Sequence, residues 1–600
     1  MNRLFSQFFL FVFLVSFAFI IMDYRGLGHS DTNEFGPLFY RLLDSNYLKN
    51  DWFINISSNN FNVRLYFIYM LFFFSKIIGN IPLLYFLLYS AAIIIAAASV
   101  YLCSQSLFKN KESSCLNVFL VLFGATFSLG GILIFTSNLS SFLVSISLSM
   151  LGFYFLINKR LNYFSIFLGL ATLIHFVSGN IIFGLLFAAS FISSKKDKKE
   201  IKKYSIALLI FFLFSIATIP NLLADKASSA GFNALELREI VGEIRAPHHY
   251  LPFEWPITRY LEFGLFLILF LVSLKESGID KENRKFVLTI TYLLLALIAV
   301  SIFFVEIYPI KLFIKLNLFR LTTFFVFIEY LFVGNFIYTK MKKETENKDF
   351  KFFIYPLLIL SVLSNHLILA SVPLFLLYLK FENKIKINSK TFYIGLASGI
   401  AFFAVILSID AVTLFLKTKA NTIIYLIFSI IVLLPLTAHS LFRQRIIKNL
   451  AFASIIFSII AFGLFNYPIL HEPAGNYRQV YNFIKENTPK EAIFLTPPGL
   501  NSFRLGAERA IVADFKSFPF GEKEMLEWKE RMLDISGKSN FSETPAPEKQ
   551  IIAGYEELSK EQVVDLRDKY DASYALFNKP KSLNIKIVYQ DEYVVLYGLK

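Results

Sequence analysis

The sequence predicts an all-α polytopic membrane domain of about 13 to 15 transmembrane segments over residues 1–466, followed by a small α/β domain over 467–600. Three observations predict it. Of the 600 residues 56% are hydrophobic and 17% charged, and the apolar residues collect in long runs rather than in short amphipathic stretches. The formal charge of +15 divides unevenly: residues 467–600 carry 18 Lys+Arg against 20 Asp+Glu, a net −2, so the first 466 carry +17. The apolar runs stop near 466, and beyond it short alternating stretches begin.

Taken in order, the first run, 4–22, follows Arg3 and ends at Asp23 without a small-x-small cleavage site, which predicts an uncleaved span with a cytoplasmic amino end. Further spans are expected at 81–104, 116–135, 138–157, 204–222, 257–274, 286–305, 321–339, 391–409, 422–441 and 449–466. Two regions, 162–193 and 352–380, read as helix pairs broken at polar points, His175/Ser178/Gly179 and Ser364/Asn365/His366. The run 65–78 is too short to span and is expected to lie as a helix along the outer interface.

With that run left out of the count, 27 of the 41 basic residues of the membrane part fall in loops predicted to be cytoplasmic, as the positive-inside rule requires. The protein is therefore expected to be a multi-pass membrane protein, with loops 23–80 and 223–256 and the tail outside. Basic charge placed this way is a signature of topology, and no nucleic-acid partner is expected. Cys103 and Cys115 stand alone, so no disulfide framework is expected.

In the tail, helices are expected at Asn476–Glu486, Glu522–Ile535 and Lys560–Tyr570. Strands are expected at Ala492–Thr496, Arg509–Asp514, Ala572–Phe577 and Ile585–Leu596, with a polar linker over Ser536–Lys549. No Walker lysine loop, GxGxxG or CxxC occurs, so an ATP-driven pump is unsupported.

Candidate chemistry gathers in the loops expected outside. In Gly28-His-Ser-Asp-Thr-Asn-Glu34, Asp31 and Glu34 are three apart, so one helical turn would set both carboxylates on one face. Such a pair can take a proton from an acceptor hydroxyl or hold a divalent cation, Mg or Mn, through oxygen ligands; the same residues also suit an ordinary capped loop. Asp51 closes the loop. Arg245-Ala-Pro-His248-His249-Tyr-Leu-Pro252 combines a guanidinium, two imidazoles and rings, a set suited to a phosphate or a sugar. Lys311, Lys315 and Arg320 form a basic group able to grip a lipid-linked phosphate or to snorkel to ordinary headgroups. Glu329 and Glu262 lie inside spans.

Asp31/Glu34 directly after the first span, Asp51 at the loop's end, Gly169-Leu-Ala-Thr-Leu-Ile-His175, Arg245 to Pro252 and Tyr477-Arg-Gln-Val-Tyr-Asn-Phe-Ile-Lys-Glu-Asn-Thr-Pro-Lys490 together resemble the type-C (GT-C) glycosyltransferase superfamily. Phe503–Lys516 and Phe518-Pro-Phe look like stretches of its uncharacterised bacterial members. No WWD-type acceptor motif is present, and the acidic pair is Asp-Thr-Asn-Glu rather than adjacent Asp-Glu.

The resemblance implies a GT-C-like fold that moves a sugar from a polyprenyl-phosphate-linked donor to an acceptor lipid, glycan or protein. It implies Asp31 as general base or metal-orienting carboxylate with Glu34 or Asp51 second, and Arg320, Arg245, His248 and His249 on the departing phosphate. Membrane lipids and the lipid-linked donor are the implied partners. The alternatives are a transporter or flippase of a lipid-linked glycan acting through Glu329 and Glu262, and a non-catalytic scaffold of an envelope polysaccharide system.

Overall fold

The computed structural model describes residues 3–59, 62–124, 128–194, 197–219, 231, 233–346, 358, 475–539, 541 and 547–600. The spans expected at 391–409, 422–441 and 449–466, and the broken pair at 352–380 apart from Leu358, lie outside the described residues.

The helical part begins with α1 (Arg3–Asp23), α2 (Thr32–Leu43), α3 (Trp52–Asn59), α4 (Leu65–Ser75) and α5 (Ile81–Phe108). It continues with α6 (Lys111–Phe123), α7 (Ser141–Ile157), α8 (Leu161–Ile174), α9 (Phe176–Ser193) and α10 (Lys198–Ile216), and then with α11 (Ile257–Glu276), α12 (Lys281–Ile302) and α13 (Leu321–Glu346). Among the described residues five helical stretches are long and apolar enough to cross a membrane: Ile81–Phe108, Phe176–Ser193, Ile257–Glu276, Lys281–Ile307 and Lys311–Lys343. The chain is a multi-pass membrane protein. On α10, Leu209, Phe212, Leu213 and Ile216 are all exposed, an apolar stripe that only lipid satisfies. By contrast every residue from Leu321 to Ile337 is buried, so α13 is apolar all round and central. It packs against α6 and α11, while α7 joins α5 to α8.

Helix α4 ends after eleven residues, a rise of about 16 Å against roughly 30 Å of hydrocarbon, so it cannot span. The expected break in 162–193 is a single residue. His175 closes α8, and its ring nitrogen accepts the Ser178 amide to open α9. The expected span 116–135 is corrected: α6 stops at Phe123, and residues 128–140 form turns. Gly131 sits at φ +67°, and Ser128 Oγ bonds both the amide and the carbonyl of Ile132. Hydroxyls here satisfy backbone that an apolar run alone would have had to pair within a helix.

The tail is a five-stranded sheet of order β2-β1-β3-β5-β4, built from β1 (Ile493–Leu495), β2 (Ala510–Ile511), β3 (Tyr574–Asn578), β4 (Ile587–Gln590) and β5 (Val594–Gly598). Strands β2, β1 and β3 run parallel; β5 returns antiparallel to β3 and β4. Its helices are α14 (Arg478–Asn487), α15 (Phe503–Ala507), α16 (Glu522–Ile535), α17 (Pro547–Glu557) and α18 (Lys560–Tyr570). Period-two alternation gives the sheet two apolar faces. Val594 and Leu596 meet Val480, Tyr481 and Phe503 on one; Val595 and Tyr597 meet Trp528, Met532 and Tyr555 on the other.

Two expectations here are corrected. Helix α17 starts inside the expected linker, at Pro547. The single strand expected over Ile585–Leu596 is a hairpin, because Asp591 accepts the amides of Tyr593 and Val594 and turns the chain.

The second face of the sheet does not close on itself. Leu237, Ile240, Val241, Ile244 and Leu251, from the segment between α10 and α11, lie in the same core as Trp528 and Tyr597. Tyr47 Oη donates to the Arg504 carbonyl at 3.0 Å, and Lys529 bonds Glu239 at 2.5 Å. The first loop, the 233–255 segment and the tail therefore share one side of the helical part.

Candidate active site

The loop after α1 is held tightly. Gly26 and Gly28 take φ values of 79° and 91°, and Thr32 Oγ1 accepts the amides of Gly28 and His29 at 2.9 Å. Arg25 N donates to Ser137 O at 2.7 Å, and Asn138 Nδ2 to His29 O at 3.3 Å, so the 128–140 turns brace the loop. Asp31 precedes α2 without capping it. Its side chain turns instead to Lys516, Nζ to Oδ1 2.7 Å, with 31% of the Asp31 and 26% of the Lys516 side chain exposed. Burial pushes the Asp31 carboxyl up, but the charges of Lys516, Arg64 and Arg320 outweigh it and hold it well below the usual carboxylate range.

Lys516 lies in the turn 512–521 after β2, at the carboxyl end of the parallel strands, where α/β sheets place their sites. The turn is anchored from beneath. Arg504 Nε donates to Asp51 Oδ2 at 2.7 Å, and Nη1 bonds Asp514 and, at 2.8 Å, Ser517 Oγ. Asp514 accepts the Ser517 amide at 2.5 Å, and Trp528 Nε1 donates to the Asp514 carbonyl at 3.2 Å.

Arg245 closes a π-helical turn, Arg238–Arg245, and its guanidinium stands over Phe515 and Phe518 at 5.2 and 5.9 Å. It donates to the Lys516 carbonyl at 3.1 Å. His249 Nδ1 lies 2.6 Å from Gly130 O, which can only accept, so this nitrogen carries the proton and Nε2 has a free lone pair. Burial, then the charges of His248 and Arg320, push His249 down to about 3, so its ring is neutral at pH 7. The His248 and His249 rings are 3.9 Å apart, and Arg259 Nη1 bonds the His248 carbonyl at 2.9 Å. Arg320 Nη1 is 3.5 Å from His175 Nε2, and its charge acts on Asp31, His175 and His249 alike. Among the described residues, the buried Nε atoms of Arg245 and Arg320 have no hydrogen-bond partner.

The structure thus brings Asp31, Arg245, His249 and Arg320 together, with His248 on the exposed edge. The other two carboxylates are engaged differently, Glu34 through Arg64, whose charge also acts on Asp31, and Asp51 beneath the tail. Glu34, 3% exposed, pairs with Arg64, whose guanidinium lies 5.4 Å from the Phe520 ring centroid. Asp51 is fully buried on Arg504 and the Ile511 amide, so its task is to dock the tail. Lys311 and Lys315 both reach Glu522 at 3.0 Å rather than standing toward lipid. Sequence reasoning did not place Lys516, Arg64 or His175 in the site. The available signals were a lysine between aromatics just after a strand, a lone arginine heading a short apolar helix, and a histidine at a helix break.

Asp31 and Glu34 do not fit a divalent cation. Each already holds a cationic side chain, and two further positive groups, Arg64 and Arg320, act on Asp31. Among the described residues no cluster of three or more His, Cys, Asp or Glu side chains forms a metal-ligand set.

Residues 475–535 match a domain family described as Domain of unknown function (DUF6798), a stretch that contains Arg504, Asp514 and Lys516. No curated protein matches the chain. The chain is similar to ArnT from Cupriavidus metallidurans, whose crystal structure was solved in the apo state, with 10% identity, a TM-score of 0.45, and 99% of this chain and 98% of that one covered.

Proposed function

We propose that this protein is a membrane glycosyltransferase that moves a sugar from a polyprenyl-phosphate donor to an acceptor lipid, glycan or protein on the extracytoplasmic face. One observation carries the reading: a partly exposed, ionised carboxylate, Asp31, stands among Lys516, Arg64 and Arg320, cations drawn from three distant parts of the chain. An acceptor hydroxyl attacks the anomeric carbon and gives its proton to Asp31. The bond from that carbon to the phosphate oxygen breaks, and its electron pair stays on the phosphate. In this reading Arg320 and Arg245 stabilise that developing negative charge, and the support is that each has a buried Nε without a hydrogen-bond partner among the described residues. Neutral His249, its tautomer set by Gly130, offers the Nε2 lone pair to a sugar hydroxyl.

Asp31→Asn should lower transfer by about 10²–10⁴-fold, the usual scale of general-base catalysis, with the thermal midpoint retained. The measurement is release of polyprenyl phosphate from a panel of polyprenyl-phosphate-linked sugars by the purified full chain. Normal release by the variant sinks the assignment. A second reading, transport of a lipid-linked glycan, draws on Glu329, fully buried in α13 with neither carboxyl oxygen hydrogen-bonded among the described residues. It requires that Glu329→Gln stop translocation while Asp31→Asn is mild.

A further inference from the structure

We propose that Lys516 is the exchangeable cation of this site: its ammonium moves from Asp31 to the phosphate of the lipid-linked donor, and Asp31 is thereby released to act as base. The proposal rests on the transferase reading and adds to it a ligand for the donor phosphate supplied by the tail.

Three observations support it. First, the Lys516–Asp31 pair is one contact between side chains that are each about a quarter to a third exposed, whereas Arg504 is 1% exposed and shared among Asp51, Asp514 and Ser517. A single partly solvated pair contributes less to stability than a buried network and re-forms elsewhere at lower cost. Secondly, the backbone under Lys516 is fixed at several points, while its ammonium is held by one ion pair. Asp514 holds the Ser517 amide, Arg245 holds the Lys516 carbonyl, and Phe515 and Phe518 are buried on either side. A flexible four-carbon stem on a rigid turn lets one ammonium serve two anions in succession, which a planar guanidinium wedged by rings does less readily. Thirdly, the exchange removes a conflict within the site. A carboxylate clasped by an ammonium is a poor proton acceptor, and it gains basicity only when that ammonium leaves. An arriving phosphate supplies the alternative anion, with Arg245 and Arg320 beside it.

The test uses the full-length chain in detergent with undecaprenyl phosphate as probe, its binding followed by quenching of tryptophan fluorescence or by native mass spectrometry. Lys516→Met should weaken binding about tenfold, Lys516→Arg should keep it within about threefold, and neither should shift the thermal midpoint measured without probe. Where turnover is measured, Lys516→Met should also move the acidic limb of the kcat/KM profile, which reports the free enzyme, to higher pH, since Asp31 there loses the cation that keeps it ionised. Equal binding by wild type and Lys516→Met overturns the exchange and leaves the transferase reading standing. A wild-type chain that does not bind the lipid phosphate overturns both.

Discussion

Two ion pairs tie the tail to the first loop, and they differ in kind. Asp51 with Arg504 is sealed from water and cross-bonded to Asp514 and Ser517; Asp31 with Lys516 is one contact at a wet edge. Both join residues more than 450 positions apart. In the buried pair each charge depends on the other, because an uncompensated ion in the interior is expensive. In the partly exposed pair either member can take another partner. The comparison teaches that a carboxylate's part in this protein is decided by what covers it rather than by its position in the loop.

The largest expected effect breaks the buried member. Arg504→Met should destabilise the tail by about 3–5 kcal/mol, because two carboxylates lose their shared cation, and adding Asp51→Leu should recover part of that loss. Denaturant unfolding of the full chain measures both. A loss below about 1 kcal/mol would put the two pairs in the same class.

A smaller effect concerns His249. Its folded value near 3 lies below the ordinary 6.5, so the unfolded chain binds the extra proton between those limits. Stability is therefore complete above about pH 6.5 and declines as pH falls from there toward 3. His249→Gln should flatten that part of a plot of thermal midpoint against pH. An unchanged slope would mean that the ring is already solvated. The smallest effect sits at the rim, where Lys315→Ala removes one of two lysines from Glu522 and should cost about 1 kcal/mol or less, and less still at high salt.

Much of the fold is legible in the sequence, because apolar run length and amphipathic period are local quantities. Glu522–Ile535 and Lys560–Tyr570 fall where the period puts them, and the break at His175 follows from a polar cluster inside an apolar run. The span expected over 116–135 misleads because run length cannot register that Ser128 and its neighbours satisfy the backbone without a helix. Within the site, Asp31 is legible as an acid in a braced turn, and Asp51 looks alike because both flank the same loop. What separates them is the tail, and nothing near residue 31 or 51 encodes which one Arg504 will cover. Lys516 is illegible for the same reason: its partner is 485 residues away.

The core shared by Leu237, Ile240, Leu251, Trp528 and Tyr597 also imposes an order of events. The 237–251 segment leaves the ribosome long before α16 and α17, and at roughly 5–20 residues per second its apolar side chains wait on the order of tens of seconds for their partners. Closure depends on helices α16 and α17, which pack on this segment from about 300 residues further along, so assembly is slow through contact distance rather than through any local barrier. A chain cut after Gly521 would keep every described apolar helix of the membrane part and yet leave that segment exposed, a surface for quality-control proteases to find.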